Sequence, residues 1–441
     1  MMDTFVLFDL IEFSRDGEWG NDEPVDGSVP MAAIRGTDFD AVRHGDVTSV
    51  PIRFIKEHNA ECKRLYGGEI LIEAAGGSKG RITGRTIYLK PETVARFGVP
   101  VTCASFSRFI RLKHSDHWDN RYIFWLLQYL YHFGLMDKYH TQHTGVSRFQ
   151  WTVFASNEPL SLPSLLTQRK IAGILSAYDD LIENNLRRIK ILEEMAQNLY
   201  REWFVKFRFP GHQNARLLNS PLGLIPDGWE VSVLREHLTS LESGKRPKGG
   251  TKDSDSGVPS VGAENILGIG KHDYQSERYV SREFFEGMRK GIVKNGDVAL
   301  YKDGAYIGRS AYFRDDFPHT QFCVNEHVFI LRSTGRRLTQ NILYLWLQEP
   351  ATISAIRATN ANAAQPGINQ VGVNGLSLLV APLDVVRRFD ELVEPSLSLI
   401  ISLAKRNEAL RRTRDLLLPR LISGEVDVSN LDIAVPEEKE A

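Results

Sequence analysis

The chain is short of cysteine, of long apolar runs and of net charge, and each shortage removes a class of protein. Three cysteines in 441 residues (Cys62, Cys103, Cys323), odd in number and far apart, argue against a disulfide framework and for a reducing, cytoplasmic compartment. Cys103 and Cys323 stand beside strand-like runs and read as small core residues rather than reactive or metal-binding thiols. No stretch approaches the ~18 uninterrupted apolar residues that a membrane span requires. The first residues, MMDTFVLFDLIEFSRDGEW, hold a short apolar run without a basic leader or small-residue cleavage site, so no secretory signal is expected. Lys and Arg (54) balance Asp and Glu (55), leaving a net charge of −1. A protein that grips nucleic acid by charge alone carries a basic excess. Near-neutrality therefore calls for local basic patches, with further phosphate contacts supplied by a partner.

Catalytic signatures are missing too. The twelve histidines form no HExxH pair, and there is no CxxC. No Asn/Asp-Pro-Pro-aromatic tetrapeptide and no Gly-rich nucleotide fingerprint is present. The run Gly304 to Ser310 has the look of a phosphate loop, but its spacing is one residue short and arginine replaces the lysine. Pro226-Asp227 lacks the downstream Glu-x-Lys of a metal-dependent nuclease, and His212 sits in a linker, where it reads as solvated. No catalytic residue and no metal ligand is expected.

What the chain does contain is a repeat. Val29-Pro30 recurs as Val258-Pro259, Gly84-Arg85 as Gly308-Arg309, Cys103 as Cys323, Phe109-Ile110 as Phe329-Ile330 and Trp125-Leu126 as Trp346-Leu347. The offset drifts from 229 at Val29/Val258 to 219 at Pro163/Pro382, as an old duplication with small loop changes would leave it. In each copy short β-like runs alternate with Gly-rich turns and lead into an apolar helix, Tyr122–Leu127 or Ile342–Leu347. Each copy thus predicts an α+β module with its own core.

A long helical pattern follows each module. After Pro163 an apolar stripe runs through Ile171, Ile174, Tyr178, Leu181, Leu192, Met195 and Leu199, broken by Asn185 and Arg188. After Pro382 it runs through Phe389, Val393, Ile400, Leu403, Leu410, Leu417 and Leu421, broken by Asn407 and Arg414. A helix of ~40 residues is ~60 Å long, more than one module needs, and its narrow seam asks for a coiled-coil partner. The nearest partner is the other copy; the plainer alternative packs each helix on its own module. The polar breaks either fix register or are solvated frays. Residues 210–229 read as an irregular linker, and the charged C-terminal stretch as a disordered tail.

Matched loops carry side chains suited to DNA. In the first module these are Lys79, Arg81 and Arg85, with Arg148 further on. In the second they are Lys302 and Arg309, the basic loop Lys245, Arg246, Lys248 and Lys252, and the segment Arg357, Asn360, Asn362, Gln365 and Asn369. Arginine offers a fork that fits guanine, and amides pair with adenine. Singly, each residue is better explained as a solvated charge or turn former. As clusters in equivalent loops they favour DNA contact.

The stretch from Leu192 to Phe204 (LEEMAQNLYREWF), continuing to Phe207-Arg208-Phe209-Pro210-Gly211, resembles the central helix of type I restriction-modification specificity subunits. Ser220-Pro221-Leu222-Gly223 with Ile225-Pro226-Asp227-Gly228-Trp229-Glu230 resembles that family's entry to its second recognition domain. Leu417 to Val426 (LLPRLISGEV) resembles its terminal helix. The resemblance implies an α+β fold with two target recognition domains, their long helices packed as an antiparallel coiled coil with pseudo-twofold symmetry. The division it implies is 1–158 and 229–378 for the recognition domains, 159–207 and 379–424 for the helices, 208–228 for the linker and 425–441 for the tail. Each domain would read one half of a bipartite, asymmetric DNA target, the helices setting the unread spacer. The chain itself would be non-catalytic and bind no cofactor. Two methylation subunits would bring S-adenosylmethionine, and restriction subunits ATP and Mg. The rivals are a stand-alone two-domain DNA-binding regulator on a coiled coil, an enzyme with an unrecognised centre, and a scaffold.

Overall fold

In a computed structural model, the residues described are 3–76, 82–143, 146–251, 256–360 and 367–433. The chain forms two compact units, one of residues 1–184 with 409–441, the other of residues 185–408. The principal helices are α1 (Asn120–His132), α2 (Leu165–Tyr200), α3 (Gln340–Leu347) and α4 (Leu383–Ile422). The division between units falls inside both α2 and α4, so each unit owns one module and a part of each long helix. Among the described residues no helix is long and apolar enough to cross a membrane.

The strands of the first unit are β1 (Asp3–Val6), β2 (Ile11–Asp16), β3 (Ser28–Ile34), β4 (Ile52–Lys56), β5 (Ile70–Glu73), β6 (Ala75–Gly76), β7 (Thr86–Tyr88), β8 (Val101–Cys103), β9 (Ser107–Leu112), β10 (His140–His143), β11 (Val146–Phe149) and β12 (Pro159–Leu162). They make a four-stranded sheet β2-β9-β5-β7, a three-stranded sheet β4-β3-β8, a sheet β10-β11-β6 and a ribbon β1-β12. Only the β3–β8 pairing among these is parallel. The strands of the second unit are β13 (Leu217–Ser220), β14 (Gly223–Pro226), β15 (Glu230–Val233), β16 (Leu238–Ser243), β17 (Val258–Val261), β18 (Tyr279–Val280), β19 (Asp297–Tyr301), β20 (Ser310–Phe313), β21 (Cys323–Val324), β22 (Val328–Ser333) and β23 (Ser377–Val380). Here the sheets are β16-β22-β19-β20, β18-β17-β21 with β17–β21 parallel, and the ribbon β15-β23, besides the hairpin β13-β14.

The duplication read from the sequence is therefore a duplication of topology, down to register. Phe109 and Ile110 of β9 face Leu71 and Ile70, as Phe329 and Ile330 of β22 face Leu300 and Ala299. Cys103 and Cys323 are both fully buried at the parallel pairing, and burial pushes their thiols up to about 12 and about 11. They are core residues in both units. A buried carboxylate recurs as well: Glu69 accepts from Arg111 Nε at 2.7 Å, and Asp297 from Arg332 Nε at 2.6 Å. Burial outweighs the arginine in both and leaves each carboxyl above its ordinary pKa.

The helix under each sheet starts on a cap. Asp119 Oδ1 accepts from the Tyr122 amide at 3.0 Å, and Thr339 Oγ1 from the Ile342 amide at 3.3 Å. Each cap contributes ~1 kcal/mol. Tyr122 through Gln128 are buried without a break, as befits a helix apolar on all sides and enclosed by its module.

Within the first unit, Ile171, Ala172 and Leu175 of α2 share a core with Leu418 and Leu421 of α4, with Ile174 and Leu417 partly buried beside them. Asp179 bonds Arg414, and Lys170 donates to the Ser429 carbonyl at 2.7 Å, so the α4 chain rises as α2 falls. Within the second unit, Asn185 bonds Asn407, while Tyr200 and Trp203 pack on Phe389. In both units the two helices run antiparallel, which sets aside the plainer alternative of two unpaired helices. The stripe expected on α2 needs correction, however. Leu181 and Met195 are exposed (51% and 57%), Tyr178 is half-buried, and Leu192 and Leu199 only pack at the margin. The buried line runs through Leu175, Ile182, Ile189, Ala196 and Tyr200. One residue of phase is ~100° of rotation on a helix of ~3.6 residues per turn. On α4, Phe389, Val393, Ile400 and Leu403 are buried as expected, and Leu410 is half-buried.

Candidate nucleic-acid interface

Gly84-Arg85 and Gly308-Arg309 stand at the same turn of the repeat, just ahead of β7 and β20. Both glycines take left-handed φ, +109° and +93°, which a side chain rarely adopts. A Cβ on Gly308 would also close to 3.2 Å from Ile353. The arginines that follow are used differently.

Arg85 folds inward. Its Nε and Nη2 each donate to Glu73 at 2.8 Å, and Nη2 also donates to the Gly36 carbonyl at 2.9 Å. Three of the five guanidinium N–H groups are thus engaged inside the unit. This pair walls a cavity of about 540 Å³ that also takes in Trp19, Gly76 and Phe106. Phe106 is 62% exposed at its rim, and the Arg53 guanidinium lies 4.4 Å over the Trp19 ring. Arg148 is exposed on β11, opposite Ala75 of β6. Of the basic residues expected here, Arg85 lines the cavity and Arg148 lies on the strand paired with Ala75 of its wall, whereas Lys79 and Arg81 lie outside the described residues. Sequence reading passed over Phe106 and Trp19. The only local signal for Phe106 is an aromatic set between two serines in a turn.

Arg309 faces outward, its guanidinium carbon 3.7 Å from the Tyr306 ring centroid. Lys302 Nζ lies 5.0 Å over the Phe329 ring. Arg357 Nε donates to the Ile307 carbonyl at 3.1 Å. The amide-rich segment returns to the same turn: the Ile368 amide donates to the Lys302 carbonyl at 2.9 Å, and Asn360 Oδ1 accepts from the Gly367 amide at 2.9 Å. Lys302, Arg309, Arg357 and Asn360 are so gathered around residues 301–309, where Arg309, Arg357 and Gln348 line a cleft of about 320 Å³. Asn369 caps a short helix, accepting from the Gly372 amide at 2.9 Å. Lys245 and Lys248 are exposed, and Arg246 pairs with Glu326 at 2.6 Å. Lys252, Asn362 and Gln365 lie outside the described residues.

A guanidinium stacked on an aromatic ring is held in place without spending its donors, which leaves the fork able to meet a planar acceptor pair such as a guanine edge. An exposed phenylalanine offers a face on which a base can stack. Among the described residues, one cluster can ligate a metal, His272, Glu277 and His319, apart from these turns in sequence.

Fold and clusters together define a double-module protein, two α+β copies with unequal cationic turns, each unit holding antiparallel parts of the two long helices. Residues 57–194 match the family model described as the type I restriction modification DNA specificity domain. The chain is 24% identical over 309 residues to the type I restriction enzyme MjaIX specificity subunit of Methanocaldococcus jannaschii, covering 69% of each. It is 23% identical over 336 residues to the MjaVIII specificity subunit of the same organism, covering 74% of this chain and 75% of that one. The type I restriction-modification S subunit from M. genitalium shares the fold, with a TM-score of 0.55 at 13% identity over 96% of both chains. The chain is thus similar, in a matched domain and over about 70% of its length, to type I restriction-modification specificity subunits.

Proposed function

We propose that this chain reads a bipartite, asymmetric DNA target, one half per module, as the non-catalytic specificity subunit of a type I complex. The observation that carries the reading is the pair of equivalent turns fitted with different side chains, an outward Arg309 on Tyr306 and an inward Arg85 beside an aromatic-rimmed cavity. Unequal readers on one duplicated scaffold call for unequal half-sites. Lys302, Arg357, Asn360, Lys245, Arg246 and Lys248 are its further candidate contacts in the second module, and Arg148 in the first. A net charge of −1 fits a protein that specifies through base edges while partners take up more of the phosphate backbone. Those partners would be two methylation subunits with S-adenosylmethionine and restriction subunits with ATP and Mg, in the cytoplasm. The stand-alone regulator would instead bind its site tightly without partners.

Because α2 and α4 are continuous helices, their length is the natural setting for the spacer between half-sites. Adding matched turns to both, then sequencing methylated sites in cells that carry the partner subunits, is expected to change the spacer and leave both half-site sequences intact. An unchanged spacer, or altered half-sites, would contradict the reading. Specific gel-shift binding by the isolated chain would favour the regulator.

A further inference from the structure

The second unit contains a three-residue cluster that the DNA-reading turns do not use. His272 and Glu277 flank the single 3₁₀ turn Tyr274–Ser276, and His319 comes from the loop ahead of β21. One ligand atom from each residue lies within 4.8 Å of the others. Both imidazoles direct Nε2 at the same carboxylate oxygen, Oε1 of Glu277, at 2.5 Å for His272. The His272 side chain is fully buried and Glu277 is 5% exposed, while His319 is 26% exposed and gives access from solvent. The other Glu277 oxygen accepts from Tyr279 Oη at 2.7 Å. The Tyr274 ring packs edge-on against both imidazoles, 4.6 and 5.7 Å away.

We infer that His272, Glu277 and His319 form a binding site for a divalent transition-metal ion of the zinc class, which ties two loops of the second recognition module together. Two imidazole nitrogens and a carboxylate oxygen suit such an ion, whereas calcium and magnesium take oxygen ligands. Three protein ligands leave a fourth position for water, on the His319 side. Tyr279 supplies what a ligating carboxylate ordinarily has, an outer hydrogen bond that fixes its orientation. The turn between the first two ligands is itself pinned: the Asp273 amide donates to Asn265 Oδ1 at 2.8 Å, and Asn265 is 1% exposed. Positions 272, 277 and 319 match no short ligand motif, which is why the sequence suggested no metal. The rival is a purely hydrogen-bonded triad, one carboxylate oxygen accepting from two imidazoles.

The chain, purified without chelator, is expected to retain about one zinc-class ion through gel filtration. Co²⁺ added to the stripped chain should give visible bands of a low-symmetry nitrogen/oxygen site. His319→Gln should abolish both signals, and Tyr279→Phe should weaken Co²⁺ binding about 10–100-fold. Dipicolinate should lower the Tm of the wild type and leave that of His319→Gln unmoved. A spectrum of aqueous Co²⁺ with no retained metal in the wild type would establish the hydrogen-bonded triad instead. Equal binding by wild type and His319→Gln would also overturn the site. Should His319→Gln fail to fold, the wild-type stoichiometry and spectrum decide alone.

Discussion

The two units hold α2 to α4 by different chemistry. In the first, Asp179 sits between two arginines, Oδ2 accepting from Arg43 Nε at 2.8 Å and Oδ1 from Arg414 Nη1 at 2.5 Å, with all three side chains largely buried. Arg43 is further fixed by Gln128 at 2.8 Å and by the rings of Phe124 and Trp125. In the second, a buried amide pair, Asn185 to Asn407 at 2.8 Å, sits in a core of aliphatic and aromatic side chains. Tyr200 stacks on Phe204 at 5.0 Å, and Phe389 meets Phe204 edge-on at 4.9 Å. One seam holds a buried carboxylate between arginines; the other holds a buried amide pair. The turns ahead of β7 and β20 diverge in the same manner, since Arg85 is an internal brace and Arg309 a solvent-facing fork. A duplicated scaffold has kept its sheet order and register while its polar residues took on separate tasks.

The largest test of that contrast is Asp179→Ala. It strands Arg43 and Arg414 in a buried site, a change that costs ~3–5 kcal/mol. Segment-resolved hydrogen exchange should show protection lost in residues 3–184 and 409–433 and kept in the second unit. Equal loss in both units would mean that the seams are one cooperative element.

Acid sharpens the same point without mutation. Burial alone would raise the Asp179 carboxyl, but Arg43 and Arg414 outweigh it and hold it well below the usual carboxylate range. A depressed folded pKa stabilises fully above the unfolded value of ~3.9 and loses that contribution as pH falls through it toward the folded value. Below about pH 4 the first unit is therefore expected to lose its seam ahead of what Asp179→Ala, already lacking the contribution, loses over the same interval. Near-parallel acid titrations of wild type and variant, followed by tryptophan fluorescence, would remove Asp179 from the account.

A smaller effect separates the two turns. Arg85→Ala takes a charged partner from Glu73 and is expected to cost ~1.5–3 kcal/mol of first-unit stability. Arg309→Ala, at an exposed position, should change stability by no more than ~0.5 kcal/mol. It should instead relax one half-site by ~1–3 kcal/mol of base discrimination, visible as new methylated sequences on that side alone. Equal relaxation of both halves would break the modular reading.

How far the sequence carried these conclusions follows from the range of each signal. The repeat was legible because Phe109-Ile110 and Phe329-Ile330 sit on central strands, where register is enforced by burial. The face of α2 was not, because bulky Leu181 and Met195 lie one step from the buried line while Ala196, small enough to be discounted, lies on it. Arg85 looked like Arg309 because its partners come from Glu73 and Gly36, 12 and 49 residues back, and no spacing rule joins them. Tertiary pairing decides whether an arginine braces its unit or stays solvent-facing.

The finest difference rests on Asn185 and Asn407. Both are buried at 3% and 1%, Asn185 Nδ2 donates to Asn407 Oδ1, and Asn407 Nδ2 has no hydrogen-bond partner among the described residues. That is a poor way to stabilise a seam and a good way to specify one, because any slipped alignment would set an amide against apolar side chains. Asn185→Ala should cost ~1–3 kcal/mol by leaving the Asn407 amide unsatisfied. Replacing both by leucine removes the desolvation cost together with the penalty on slippage, so stability should hold within ~1 kcal/mol or rise. Methylated sites of a complex built on the doubly substituted chain should then spread over more than one spacer length. A single unchanged spacer, with stability lower than that of Asn185→Ala, would show the pair to be a packing contact with no part in register.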